Sequence, residues 1–462
     1  MNQLVNKTKA YTQQTLDNAK QKLLTKLILT APKMSKANML RFIDFILFID
    51  SKRKFSKNHR TAIIALRKMI ETNHPSMIIV KKLYNYLSPQ GREKLVENFF
   101  VNGLFMNKER KEQFVSSYGF SPPYFFVMSP TMQCNLRCEG CYAGKYEKEE
   151  LSYDLMDRLM NEAKEIGIYF VTISGGEPFI RKDDLFRLFE KHNDMYFQVY
   201  TNSTLITNDV AKKLSELGNV ALALSVEGFE NETDFRRGKG IFSRVGKAMD
   251  NLKEYGVLFG FSAVPTRRNA DVLCSEEFLD FVMNKGCFFG WYFQYIPIGR
   301  DPNVELMMTP AQRNQFRVKL KELRKNKPIF VADFWNDGPY VKGCMAGGHM
   351  YFHITSRGDV EPCVFVHFAV DNVKNKSLKE ILNSDFFKDI RANQPCSDNH
   401  LRPCMVIDNP KIMRHVCSKY QAYPTHPGSD SIIKDEKIVS FLDDYSENFK
   451  KIVDPIWNDK RY

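Results

Sequence analysis

The chain has 462 residues, 43 % of them hydrophobic, enough to bury a large core in two or three units. Ten cysteines are few for a disulfide scaffold, and their clustering argues for metal in a reducing compartment. The net charge of +13 is confined to one end: residues 1–120 hold 22 Lys/Arg against 8 Asp/Glu, a balance of +14, and the rest sums to −1.

The opening residues, Met1 to Lys7, lack the apolar core and cleavage site of a signal peptide, and no window supplies eighteen uncharged apolar residues. The expectation is a cytoplasmic protein. Residues 1–120 read as a basic helical region, with amphipathic stretches at 23–29 and 39–50, a basic run through Lys52, Arg53, Lys54, Lys57 and Arg60, and apolar periodicity over 95–106. Phe42, Phe45, Ile46 and Phe48 make the 39–50 helix too apolar for a fully solvated surface. Three readings follow: a plain helical cap, peripheral attachment to an anionic membrane at its inner face, or capture of an acidic peptide. Nothing resembles a nucleic-acid-binding module, so nucleic acid is an unlikely partner.

From residue 121 the pattern changes. Apolar, β-branched runs at 124–128, 169–174, 197–201, 220–226, 258–264 and 290–296 alternate with helix-length segments near 152–167, 182–193, 207–217, 241–255 and 275–286. Six such βα units predict an α/β fold, a partial (β/α)6 barrel with a parallel sheet, whose reactive loops lie at the carboxyl ends of the strands. The predicted units are 1–120, the barrel at 121–305, a cysteine-bearing extension at 306–425 and a helical tail at 426–462.

Leaving the first strand are Cys134, Cys138 and Cys141. Three thiolates leave a four-iron cluster one ligand short, and an open iron separates a catalytic centre from a closed structural one. Zinc is the rival reading, but zinc favours two Cys-x-x-Cys pairs over this triple. The other strand ends carry Gly175, Gly176, Glu177 and Pro178, then Thr201, Asn202 and Ser203, then Ser225 and Glu227 followed by Arg236 and Arg237, and last Pro297 and Gly299. Each alone is a common turn. Together, at corresponding strand ends around a cysteine triple, they read as a site.

On the cysteine triple and the Gly-Gly-Glu-Pro run, residues 124–300 resemble the radical S-adenosylmethionine (radical SAM) superfamily. The resemblance implies that Cys134, Cys138 and Cys141 hold a 4Fe-4S cluster whose fourth iron binds S-adenosylmethionine. It implies further that Gly175, Gly176, Glu177 and Pro178 engage the methionyl amino group, that Thr201, Asn202, Ser203, Ser225, Glu227 and Arg237 lie where the family contacts ribose or carboxylate, and that Pro297 and Gly299 approach adenine. One departure stands out. The family often has an aromatic residue just before the third cysteine, where this chain has Gly140; Tyr142 is the expected substitute. The implied activity is reductive cleavage of S-adenosylmethionine to a 5′-deoxyadenosyl radical that abstracts hydrogen from an unactivated C–H bond, with an electron donor of flavodoxin or ferredoxin type.

Beyond the barrel, Cys344 and Cys363 flank a predicted hairpin that turns at Arg357 and Gly358, followed by Cys396, Cys404 and Cys417. This resembles the opening of SPASM and twitch extensions and implies one auxiliary iron–sulfur cluster. Cys344, Cys363 and Cys404 are its expected ligands, with Cys396 or Cys417 as the fourth, and zinc, or a histidine ligand from His349, His353 or His367, as alternatives. Cys274 and Cys287 read as buried free thiols. Residues 423–429 form a turn-rich stretch, either a packing strap or a lid, and 430–462 a helix with Trp457 as anchor. The expectation is therefore a radical SAM oxidoreductase acting on a lipid or membrane-presented substrate, with maturation of a ribosomally made peptide as the alternative and a non-catalytic iron–sulfur electron carrier as the reading from another class.

Overall fold

The computed structural model describes residues 21–49, 57–74, 76–143, 149–460 and 462. The first twenty residues and the basic run Lys52 to Lys54 lie outside the described residues. Seven parallel strands follow one another across the sheet in chain order: β1 (Phe125–Met128), β2 (Phe170–Ile173), β3 (Tyr196–Thr201), β4 (Val220–Ser225), β5 (Phe259–Ala263), β6 (Phe289–Tyr292) and β7 (Phe330–Asp333). The first six are the predicted barrel strands. The seventh lies beyond the predicted barrel boundary at 305, in an apolar run of only four residues, Ile329 to Ala332, between Pro328 and Asp333, too short to show a period.

The crossover helices form where the sequence supplies caps and an apolar stripe. Ser152, Thr207 and Ser275 each accept a hydrogen bond from an amide in the first turn of the next helix, and Gly218 and Gly286 end two of these helices at positive φ (71° and 105°). In Tyr153–Glu165 the stripe Met156, Leu159, Met160 and Ala163 is buried against the sheet.

The predicted hairpin is present as β8 (His353–Ile354) and β9 (Val360–Glu361), but it does not stand apart from the barrel. β8 pairs in parallel with β1 at Val127 and Met128, which extends the sheet to nine strands. Sequence periodicity reports which face of a strand is apolar and not which neighbour it finds, so this seam was not legible. The stretch 423–429 is a strap: β11 (Tyr423–Pro424) pairs antiparallel with β10 (Phe368–Ala369), and the Tyr423 hydroxyl donates to Asp359. The tail helix Glu436–Asn458 packs on the helix Pro310–Asn326, where buried Arg313 makes a two-point ion pair with Asp408 and lies over the Phe449 ring.

The described part of the N-terminal region is helical, and its inner helices cover the amino ends of the strands. Ser88 donates its amide to the Gly256 carbonyl, Tyr86 its hydroxyl to Val257, Asn98 its side chain to Met195 and Asn107 its side chain to Gly167, all on segments entering strands. Its apolar contacts are with Phe170, Tyr196, Ala221 and Phe289 at the strand starts. The helical-cap reading therefore describes this layer, and it lies opposite the cysteine loop. No helix among the described residues is long and apolar enough to cross a membrane.

Candidate functional site

Cys134, Cys138 and Cys141 lie on the loop leaving β1, and four other strand-end loops brace it. The Gly175–Gly176 turn after β2 packs on its backbone: a Cβ on Gly175 would lie 2.3 Å from the Thr131 carbonyl oxygen, and one on Gly176 2.1 Å from that of Gln133. Only glycine permits this approach. From the β3 loop, Asn202 donates its side chain to Asn135 Oδ1 (2.8 Å) and stands 3.6 Å from Cys134 Sγ. After β6, Gly299 lies against the carbonyls of Cys141 and Tyr142, and the Arg300 amide donates to Cys141.

The fourth brace is charged. Glu227, fully buried after β4, receives Arg236 (2.6 Å) and Arg237 (2.5 Å). Burial opposes its charge, but the two guanidinium groups and the Val264 amide hold its carboxyl below the usual value. Arg236 also donates to the Gly140 carbonyl, and Arg237 comes within 3.9 Å of Cys138 Sγ, which brings positive charge to the thiol. Arg236, placed at this strand end by the sequence but given no role toward the cofactor, thus shares the brace with Arg237.

Glu177 serves as a buttress. Its carboxylate is fully buried and accepts from Thr201 Oγ1 (2.8 Å), the Asn202 amide (2.7 Å) and the Phe179 amide (3.1 Å), tying the β2 loop to the β3 loop. Burial pushes its pKa up to about 7 despite these donors. Pro178 opens the buried 3-10 turn Pro178–Arg181. Ser203 has positive φ (72°), and its buried hydroxyl has no hydrogen-bond partner among the described residues. Ser225 is at the end of β4, opposite Ser262 of β5, and Pro297 is buried beside Gly299. The predicted residues thus converge at one end of the sheet.

The Gly140 departure has a steric cause. A Cβ there would lie 2.5 Å from the Tyr295 ring, so the aromatic group beside the third cysteine comes from the loop after β6. Tyr142 turns inward, its hydroxyl 2.5 Å from Ser174 Oγ and its ring 5.7 Å from Phe365.

Four of the five later cysteines gather in a second place. The environment of Cys344 includes Cys363, Cys396 and Cys404, whose charges together with burial push its thiol well up. Burial pushes Cys363 and Cys396 up to about 12 and Cys404 up to about 11. The amides of Ala346, Phe365 and Val406 point at the sulfurs of Cys344, Cys363 and Cys404 (3.5, 3.5 and 3.3 Å), and the Tyr351 hydroxyl is 2.8 Å from Cys363 Sγ. Trp335, which sequence reasoning missed, hydrogen-bonds Cys404. Cys417 lies apart, in helix Pro410–Lys419, with its thiol donating to Met413 Sδ at 3.3 Å. Of the two cysteines left open as fourth ligand, the structure brings Cys396 to the group. The histidines are engaged elsewhere or outward: His353 bridges Ser129 and Glu361, His367 contacts His426, and His349 is exposed. Cys274 and Cys287 are buried in the core.

Among the described residues, no three His, Cys, Asp or Glu side chains close on a point tightly enough for a single ion. A cluster, by contrast, takes its thiolates at separate corners. Sulfur atoms ringed by amide, asparagine, tryptophan and arginine donors fit iron–sulfur ligation, in which hydrogen bonds to sulfur tune the potential.

Comparison with known proteins agrees with this geometry. Residues 128–267 match the radical SAM superfamily model, and residues 344–405 match the SPASM model, an iron–sulfur cluster-binding domain. Mycofactocin maturase MftC of Mycolicibacterium smegmatis is 28 % identical over 295 residues, covering 60 % of this chain and 74 % of that protein. An AdoMet-dependent heme synthase of Methanosarcina barkeri is 24 % identical over 301 residues, covering 58 % and 85 %. The crystal structure of Streptococcus suis SuiB bound to S-adenosylmethionine superposes with a TM-score of 0.55 at 19 % identity, covering 65 % of this chain and 76 % of that one, a likeness of fold. The chain belongs to the radical SAM superfamily, carries a SPASM domain, and is an oxidoreductase of the class that cleaves S-adenosylmethionine through an iron–sulfur cluster.

Proposed function

We propose that the protein matures a ribosomally made peptide by functionalising an unactivated C–H bond. The observation that carries this reading is the similarity to a mycofactocin maturase, 28 % identical over 295 residues against 24 % over 301 for the heme synthase. Cys134, Cys138 and Cys141 would hold the first cluster, and Cys344, Cys363, Cys396 and Cys404 the auxiliary one. Bound in the first site, a cluster would supply the single electron for reductive cleavage of S-adenosylmethionine, and with it the means to remove hydrogen from substrate.

The chain's own residues give this chemistry its geometry. Gly175 and Gly176 let the cofactor approach the cysteine loop, while Thr201, Asn202, Ser203 and Ser225 offer polar groups to its ribose and carboxylate. Pro297 and Gly299, buried on the loop after β6, would lie toward adenine. Glu177, Glu227 and Arg237 act through the loops they brace. Between the two cysteine sites stand the rings of Tyr142, Phe365 and Trp335, at 5.7 and 5.0 Å, with Phe293 and Tyr200 behind them; they exclude water from a substrate carbon held there.

A membrane-presented substrate is the second reading, favoured by Phe45 and Phe48 in helix Lys36–Ile49, 57 % and 75 % exposed beside exposed Arg41. The inner helices of that region cover the amino ends of the strands, the end opposite the cysteine loop. The test is anaerobic assay of 5′-deoxyadenosine and of product mass with peptides encoded beside the gene, against a lipid extract. A peptide that stimulates cleavage and loses hydrogen supports the maturase. Stimulation by lipid alone, with salt-sensitive sedimentation on anionic vesicles lost in a Phe45→Ser/Phe48→Ser variant, replaces it with the second reading.

A further inference from the structure

Three arginines on the helix Pro310–Asn326 lie along a partly buried face, and they differ in one respect. Arg313 has Asp408 as a two-point partner, and Arg324 has Asp337 at 2.6 and 2.7 Å. Arg317, between them and only 9 % exposed, makes no ion pair or hydrogen bond with a carboxylate among the described residues, and feels only the more distant charge of Asp333. Its Nε and Nη2 both donate to one neutral oxygen, Asn314 Oδ1, at 3.2 and 3.0 Å, and no hydrogen bond from Nη1 is formed within the described residues. Arg313 and Arg324 are held above the ordinary arginine pKa by their carboxylates although burial opposes it, whereas burial pushes Arg317 down. A desolvated cation without a counter-charge is costly.

Arg317 lines a cavity of about 220 Å³, room for several waters or a small organic anion. Lys321 and Arg324 add positive charge to its wall, and Asp333 and Asp337 subtract from it, which leaves the lining side chains one positive charge in excess. Both acids are already engaged: Asp337 by Arg324, and Asp333 by the amides of Trp335 and Asn336 and the Asn336 side chain. Leu320, Pro339, Tyr340, Leu401 and Tyr462 supply the apolar remainder.

We infer that this cavity is a binding site for an oxyanion, a carboxylate or phosphate monoanion, that supplies Arg317 with the counter-charge its two neighbours receive from the protein. A carboxylate on an apolar body, such as the end of a peptide, matches the leucine and tyrosine walls; a free phosphate is the other source of the same chemistry. The site is separate from both cysteine loops and lies behind the Trp335 wall of the auxiliary one.

Calorimetric titration of the reconstituted enzyme with N-acetylphenylalanine, its amide and inorganic phosphate tests the inference. Saturable binding of an anion, no binding of the amide, and at least a tenfold loss of affinity in Arg317→Met with partial retention in Arg317→Lys are expected. Tighter binding of N-acetylphenylalanine assigns a peptide-like carboxylate, and tighter binding of phosphate a small oxyanion. Arg317→Met should melt no lower than wild type without ligand, because it removes an unpaired buried cation. Equal affinity in wild type and Arg317→Met, or absence of saturable binding with a lower melting point in the variant, overturns the site and leaves Arg317 a structural strut.

Discussion

The two cysteine sites are built in opposite ways. The first is a single loop with three cysteines at successive short spacings, its Cys134 exposed, held by side chains and glycines from four other strand ends. The second draws its four cysteines from separate segments, buries Cys363, and is walled by Trp335, Phe365 and Tyr351. A site on one loop keeps its spacing when its supports fail and loses its orientation. A site assembled from distant segments loses its existence when one segment shifts.

The largest effect should come from emptying the first site. In a Cys134/Cys138/Cys141→Ala variant, iron should fall from about eight to about four per chain, and 5′-deoxyadenosine should vanish. Iron counting and product chromatography check this, and unaltered cleavage would remove the first site from the chemistry. Next is the contrast at the second site. Cys396→Ala should lose the auxiliary cluster while deoxyadenosine continues to form, uncoupled from product, whereas Cys417→Ala should keep full iron content, since its thiol faces Met413. Equal iron loss in both would erase the distinction drawn here.

Glu227→Gln should leave two buried guanidinium groups facing an uncharged amide and cost about 3–5 kcal/mol in denaturant melts. It should also weaken S-adenosylmethionine binding by letting the cysteine loop drift, which equilibrium dialysis would detect. The smallest effect is a pH profile. Because burial raises the Glu177 carboxyl from 4.5 to about 7, the folded apoprotein holds that proton more tightly than the unfolded chain. Its contribution is therefore complete below pH 4.5 and is lost as pH rises through 7, on the order of 3 kcal/mol. Glu177→Gln should flatten this slope at lower overall stability; an unchanged slope would place the titration elsewhere.

How far the sequence could be read follows the same division. The first site was legible because its ligands are contiguous and its supports recur at strand ends, so that Gly175, Asn202, Glu227 and Gly299 could be assigned to one end of the sheet before any coordinates. Six strands were legible because apolar, β-branched runs of five to seven residues alternate with helical segments. The seventh, Phe330–Asp333, was too short for a period to register. The choice between Cys396 and Cys417 was beyond sequence, since it depends on which chain segment folds back toward Cys404. The Tyr295 ring beside Gly140 was equally hidden: a cavity filled from 155 residues away leaves no local mark.

The pairing of β8 with β1 has a bearing on the timing of electron movement. β1 leads into the first cysteine loop, and the hairpin begun by β8 lies between Cys344 and Cys363, with the amides of Val127 and Ser129 bonded to Phe352 and Ile354 across the seam. Tunnelling rates fall exponentially with distance, so a hinge between the two sites would make transfer between them fluctuate with every domain motion. A shared backbone ladder ties the two loops together without a hinge, so clusters held at both sites would exchange electrons across a distance set by the fold.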